Sequence, residues 1–213
     1  MPYTWQLLSR VADERVIAIV RDSDPDSALA AARTILDAGL GVLEVSLTTP
    51  GALEVIARLR AAYPDRLIGA GTVLDAAGAR SAVAAGAQLL VSPALADDVV
   101  ATARRHGVLA VPGCSTPTEM LTALTAGADL IKVFPASRWR PEDISQLRVA
   151  LPHLPLVPTG GIAPADAAAW IRAGAVAVGV GSALTTGGAE QAKNRVATLR
   201  TALRAAQEGS HDA

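Results

Sequence analysis

Cysteine is almost missing from this chain: Cys114 is the only one in 213 residues. That excludes an intrachain disulfide framework and fits a reducing compartment, so the expected location is cytoplasmic. Aromatic residues are scarce as well, with one Phe, two Tyr and three Trp, so Ala, Val, Leu and Ile must build the core. Neither charge is in excess. Nineteen basic against twenty acidic residues leave a net charge of −1, without the basic stripe that nucleic acid requires. No apolar run approaches the roughly 20 residues that span a bilayer. The opening "MPYTWQLLSRVADER" also lacks the basic-then-apolar order of a signal peptide. Neither nucleic acid nor membrane is an expected partner.

Lysine is the most informative shortage. All but two of the 19 basic residues are arginine, and the two lysines are Lys132 and Lys193. Lys132 stands inside the apolar run "LIKVFPA" (130–136), where a routine solubilising residue has no place.

What is abundant is a repeated alternation. Eight short apolar runs recur: "VIAIV" (16–20), "GVLEVSL" (41–47), "LIGAGTV" (67–73), "QLLVSPA" (88–94), "GVLAVPG" (107–113), "LIKVFPA" (130–136), "LPLVPTGG" (154–161) and "AVAVGVGSA" (175–183). Most are β-branched and end in Gly, Pro, Ser or Thr, which marks strands running into turns. Ala- and Arg-rich segments of helical spacing lie between them. Several of these close on "DAG", "AAG", "TAG" or "RAG", where glycine caps a helix. Strand–helix alternation implies parallel strands joined by right-handed crossovers. Eight units make a single (β/α)8 TIM barrel of the α/β class over residues 1–213, with an extra N-terminal helix at about 3–14 and a last helix at about 189–207. A doubly wound sheet is the alternative fold, weakened by the lack of a GxGxxG turn after the first run.

Side chains alternate faces along a strand, and in a barrel the inward set fills the interior. In the second run Leu43, Val45 and Leu47 meet helices, which turns Glu44, Ser46 and Thr48 inward. In the sixth, Ile131 and Val133 face helices while Lys132 and Phe134 face in. Ala70 and Thr72 of the third run, and Val157 and Thr159 of the seventh, are placed on the same inner side. Lys132 and Glu44 thereby share one interior. A structural ion pair there would gain little over apolar packing, whereas functional sites collect such groups.

A desolvated lysine presents a neutral amine that attacks ketones and forms a Schiff base. Glu44 is the candidate for the proton transfers that such chemistry needs. Glycines after the seventh and eighth runs, Gly160, Gly161 and Gly181 with Ser182, suit a phosphate cradle of the kind this fold often carries. The three histidines lie poorly for catalysis: His106 and His153 precede strands and His211 is in the tail. A zinc mechanism is therefore disfavoured, and no metal or cofactor is expected. Cys114 has no neighbouring histidine to activate it and reads as a small loop residue.

The motifs "EVSLTTPGALEVI", "IGAGTVL", "VSPAL", "VPGCSTPTE", "IKVFPA", "VPTGGI" and "VGVGSAL", in that order, resemble the class I 2-keto-3-deoxy-6-phosphogluconate (KDPG) aldolases. That family also includes 4-hydroxy-2-oxoglutarate and 2-keto-3-deoxy-6-phosphogalactonate aldolases, and the likeness runs from about Val16 to Leu184. It implies a (β/α)8 barrel, a homotrimer, and cleavage of a 2-keto-3-deoxy-6-phospho sugar acid, foremost the gluconate-derived one, to pyruvate and glyceraldehyde 3-phosphate. It implies Lys132 as the Schiff-base lysine, Glu44 as the acid/base and Thr72 as a carboxylate ligand. Phe134 matches the aromatic beside the lysine. Arg21 is expected to bind the anionic substrate, with Thr48, Pro93 and Thr159 among the substrate contacts and Gly160, Gly161 and Ser182 at the phosphate end. Two departures stand out. Thr48 occupies a position where many members carry an arginine, and "SRWRPED" (137–143) replaces a small glycine-containing loop, so that Trp139 is expected to reshape the distal pocket. A phosphosugar isomerase or epimerase on the same scaffold, or a non-catalytic phosphosugar binder, are the competing readings.

Overall fold

In a computed structural model, which describes residues 2–208, the chain alternates strands and helices throughout. The elements are α1 (Thr4–Glu14), β1 (Val16–Val20), α2 (Pro25–Asp37), β2 (Val42–Ser46), α3 (Ala52–Ala62), β3 (Leu67–Gly71), α4 (Ala76–Ala84), β4 (Leu89–Val91), α5 (Asp97–His106), β5 (Leu109–Val111), β6 (Gly113–Cys114), α6 (Pro117–Ala126), β7 (Ile131–Val133), α7 (Pro141–Ala150), β8 (Leu156–Pro158), α8 (Ala167–Arg172), β9 (Val178–Val180), α9 (Ser182–Thr185) and α10 (Ala189–Glu208). The repeated glycine phrases do what their spacing implies. Gly39, Gly86, Gly127 and Gly174 all turn the chain out of a helix at φ of 96–102°, a conformation only glycine adopts without strain.

Pairing is parallel throughout, in a curled six-stranded sheet of order β5-β4-β3-β2-β1-β9 and a three-stranded sheet of order β6-β7-β8. The fifth apolar run thus yields two strands where one was expected, and Pro112 is the reason. Proline has no N–H to donate to a ladder, although its carbonyl still accepts from the Lys132 backbone at 2.9 Å. Beside β5, the Asp129 carboxylate takes the place of a neighbouring strand and accepts from Ala110 N at 2.8 Å. A single parallel bridge, Thr159 to Gly179, links β8 to β9.

Two apolar layers follow from the alternation. Val16, Ala18, Val20, Leu43, Val45, Ile131 and Val133 point to the helices. Ile17, Val42, Leu67, Leu89, Leu109, Leu130 and Val157 pack on the enclosed face, together with Leu7 and Val11 of α1. Those two side chains are one helical turn apart and at most 1% exposed, so α1 covers the enclosed face while Trp5 on its other side is 67% exposed. Burying such side chains contributes about 1.5–3 kcal/mol each, and the helix is held by that contact. Its being an added element is as expected from the sequence.

Candidate active site

Of the twelve residues expected at the site, all but Thr48 line one cavity of about 1010 Å3, at the end of the strands where β1, β2, β7, β8 and β9 run into their loops. Lys132 reaches it from the centre of β7, in register between Gly113 and Val157. It is 7% exposed while Ile131 and Val133 beside it are fully buried against helices. Its Nζ lies 4.8 Å from the centroid of the Phe134 ring, a favourable position for a cation. The Phe134–Pro135 peptide that follows is cis.

Glu44 enters from β2 and is 2% exposed. Its Oε2 is buried without a hydrogen-bond partner among the described residues. Burial pushes the carboxyl above its ordinary range, and the charges of Lys132 and Arg21 pull it only part of the way back. Space for the carboxylate is made on β3: a Cβ at Gly71 would sit 2.4 Å from Glu44 Oε1, so only glycine fits. Gly71→Ala is expected to cost about 1–3 kcal/mol of stability through overpacking. It should also cut kcat at least about tenfold by displacing the carboxylate. Chemical denaturation and steady-state assay check the two effects separately.

Next to Glu44 lies a net of hydroxyls under one guanidinium. Arg21, after β1, donates from Nε to Ser46 Oγ and from Nη2 to Thr72 Oγ1, both at 3.3 Å. Ser46 Oγ is 2.8 Å from both Thr72 Oγ1 and Thr48 Oγ1. Ser46 is the residue that sequence reasoning left without a role; it is fully buried, and its signal was its position two residues after Glu44 on the same strand face. Two expectations need correcting here. Ala70 is in the helix-side core, and the enclosed face of β3 is made by Gly69 and Gly71. Thr72 nevertheless reaches the cavity because β3 ends at Gly71 and Thr72 adopts φ of 56°, which breaks the alternation and swings its hydroxyl inward. Thr48 does not line the cavity; it is exposed and touches the site only through Ser46.

On the opposite side, Thr159 is 4% exposed and donates to Val157 O at 3.1 Å. Gly160 and Gly161 follow at φ of 100° and 82°, exposing a stretch of backbone that a side chain would cover. Pro93, after β4, packs its carbonyl so closely that a Cβ at Gly113 would come within 2.3 Å of it. Gly181 and Ser182 open α9. Arg195 and Thr198 of α10 also line the cavity, and nothing in the sequence of that flanking helix marked them.

Trp139 does not shape this cavity. It lines a separate one of about 340 Å3 with Trp170, behind the Gly160–Gly161 turn, which forms a shared wall. Arg140 is turned outward to Asp143, 3.3 Å away. Cys114, expected in a loop, lies in β6 within the helix-side core, and burial pushes its thiol up to about 12. Thiol reagents are expected to leave it unmodified at pH 8 until denaturant is added, a result readable by absorbance. His106 ends α5 and His153 follows α7, both away from the cavity; His211 lies outside the described residues. Among the described residues no three His, Cys, Asp or Glu side chains gather as a metal would require.

The family model described as KDPG and KHG aldolase matches residues 7–199. The 2-dehydro-3-deoxy-6-phosphogalactonate aldolase of Escherichia coli K12 is 38% identical over 196 residues, covering 88% of this chain and 96% of the relative. A solved structure of native KDPGal superposes with a TM-score of 0.85 at 36% identity, covering 91% of this chain and 96% of the other. The KDPG aldolase of Legionella pneumophila, with pyruvate captured as a covalent carbinolamine, superposes at 0.78 with 27% identity over 92% and 96% of the two chains. An enclosed lysine and a glutamate lining one cavity, on a fold shared with these enzymes, leave one conclusion: this chain belongs to the KDPG and KHG aldolase family of lyases.

Proposed function

We propose that this chain cleaves a six-carbon 2-keto-3-deoxy-6-phospho sugar acid, the galactonate-derived one in preference, to pyruvate and glyceraldehyde 3-phosphate through an imine on Lys132. The observation that carries the proposal is that a buried lysine and a buried, incompletely compensated glutamate line one cavity. The Lys132 amine adds to the C2 ketone, and Glu44 protonates the carbinolamine oxygen, which leaves as water. The carboxylate of Glu44 then takes the proton of the C4 hydroxyl. The C3–C4 bond breaks, its electron pair passing to the iminium nitrogen as an enamine, and the aldehyde departs. Protonation at C3 and hydrolysis release pyruvate and free the amine. Arg21 and the Ser46–Thr72 hydroxyls hold the substrate carboxylate, while Gly160, Gly161 and Ser182 face the phosphate. Among the described residues Glu44 is the only carboxylate lining the cavity, which gives an isomerase or epimerase reading no second carboxylate there.

Preference for the galactonate-derived epimer rests on the Escherichia coli relative, which aligns over 96% of its length. A second reading, the gluconate-derived epimer, is favoured by the likeness to the Legionella enzyme. The test has two parts. Incubation with pyruvate followed by borohydride should add one reduced pyruvyl group at Lys132, seen by intact mass and peptide mapping; an unmodified lysine defeats the imine. A cleavage assay then ranks the two phosphorylated epimers and 4-hydroxy-2-oxoglutarate, and a win for the unphosphorylated acid defeats the phosphate end.

We also infer that the two sheets form one closed eight-stranded barrel in a single domain, with β5 and β6 as one strand interrupted at Pro112. The Thr159–Gly179 bridge supports closure on the other side. A cytoplasmic homotrimer is the assembly that the resemblance supports. Light scattering at about three times 21.7 kDa would agree with it, and the monomer mass would not.

A further inference from the structure

The helix α10 reads in sequence as a flanking element, yet Arg195 and Thr198, three residues apart on one face, line the catalytic cavity. Among the described residues three cations line that cavity: Arg21, Lys132 and Arg195. Lys132 sits beside Phe134, and Arg21 is turned toward Ser46 and Thr72. The loops after β8 and β9 contribute Gly160, Gly161, Gly181 and Ser182, which bring no charge. Arg195 is connected to that end. Its Nη1 donates to the Thr186 carbonyl and its Nη2 to Gln191 Oε1 at 3.3 Å, and Thr186 Oγ1 donates to the Ser182 carbonyl at 2.8 Å. The turn before α10 packs onto it as well: a Cβ at Gly187, at φ of 90°, would lie 3.5 Å from Arg195 Nη2. The guanidinium is therefore half-buried and held in place, with three of its five N–H donors uncommitted among the described residues.

A phosphate monoester carries about −1.5 to −2 charges at pH 7. Neutral N–H groups and one hydroxyl leave that charge uncompensated, whereas a fixed guanidinium meets it with the geometry that phosphate favours. We propose that Arg195 is the charged ligand of the substrate's distal phosphate and sets the preference for phosphorylated over unphosphorylated 2-keto acids. This rests on the aldolase reading above.

The test compares wild type with Arg195→Met, which keeps the apolar stem. The quantity read is the ratio of kcat/KM for the preferred phosphorylated sugar acid to that for 4-hydroxy-2-oxoglutarate. That ratio should fall about 10- to 100-fold, mainly through KM, as expected for a lost charge-assisted contact. Competitive inhibition by inorganic phosphate should weaken by a similar factor. An unchanged ratio and unchanged phosphate inhibition overturn the proposal. So does an equal fall on both substrates with a lowered Tm, which would mark Arg195 as merely bracing Thr186. If R195M does not fold, Arg195→Gln, which can still donate to the Thr186 carbonyl, carries the same comparison. Pyruvate trapping separates the two levels. Trapping retained with an unmoved ratio overturns the role of Arg195 alone, whereas failure of trapping in wild type overturns the aldolase reading and this inference together.

Discussion

Lys132→Arg is expected to lower kcat by about four orders of magnitude or more, because a guanidinium cannot act as the amine nucleophile and no other lysine among the described residues lines the cavity. The substitution keeps a positive charge opposite Glu44, so the loss reports nucleophilicity and not a bare charge. Lys193 offers no rescue: it is on α10, exposed, 4.0 Å from Glu190, and does not line the cavity. The pyruvate adduct after borohydride should disappear with the activity. A variant that kept the adduct, or lost less than about a hundredfold, would place the imine elsewhere and remove the mechanism proposed for this cavity. Lys132→Ala would add a second readout. Lys132 is the larger of the two charges drawing the Glu44 carboxyl back down, so its removal should raise that carboxyl further.

Glu44→Gln should reduce kcat by about 10²–10⁴, the usual contribution of a positioned acid–base group. Imine trapping should become slow without being abolished, since the amine is still present. Stability should move in the opposite direction. The folded-state pKa of Glu44 is raised by burial above its ordinary value of 4.5, so the native state holds its proton more tightly than the unfolded chain does. The stabilisation linked to that proton is fully present below the unfolded value and is lost as pH rises through the raised one. Wild type should therefore lose stability relative to E44Q as pH climbs from about 4.5 upward, and the gap should stay constant above the raised value. Denaturant titrations at several pH values measure this directly. A gap that does not change with pH would mean that Glu44 is not desolvated in the way its burial indicates.

Much of this site was legible because two simple signals coincided. The rarity of lysine singled out Lys132, and strand alternation turned it and Glu44 to one face; both side chains line the same cavity. The glycine phrases fixed helix ends for an equally local reason, since a left-handed residue after a helix is a single-residue property. Where the reading failed, the determining interaction was not local. Alternation holds only while a strand is paired, so Ala70 followed the rule while Thr72, one residue past the end of β3, was placed by its φ of 56°. Trp139 follows "IKVFPA" closely in sequence, yet the turn at Gly160–Gly161 stands between it and the cavity. Arg195 was hidden because its approach depends on how α10 folds back, which no spacing within the helix encodes. The split of the fifth run at Pro112 could have been anticipated, since the missing N–H is visible in the residue itself.

The enclosed face of the sheet changes character along its length. At the end beneath α1 it is filled by Leu67, Leu89, Leu109 and Leu130, closed off by Leu7 and Val11. Toward the loops the same face carries Gly71 and Gly179, where an added Cβ would collide with Glu44 and Thr159. If the proposed site holds, stability and substrate recognition are drawn from opposite ends of one stack of side chains. Under that reading, changes in the loops are expected to alter which sugar acid is accepted while the leucine floor keeps the chain folded, so specificity is free to drift. Under the proposed mechanism the lysine and glutamate at the border between the two zones are not.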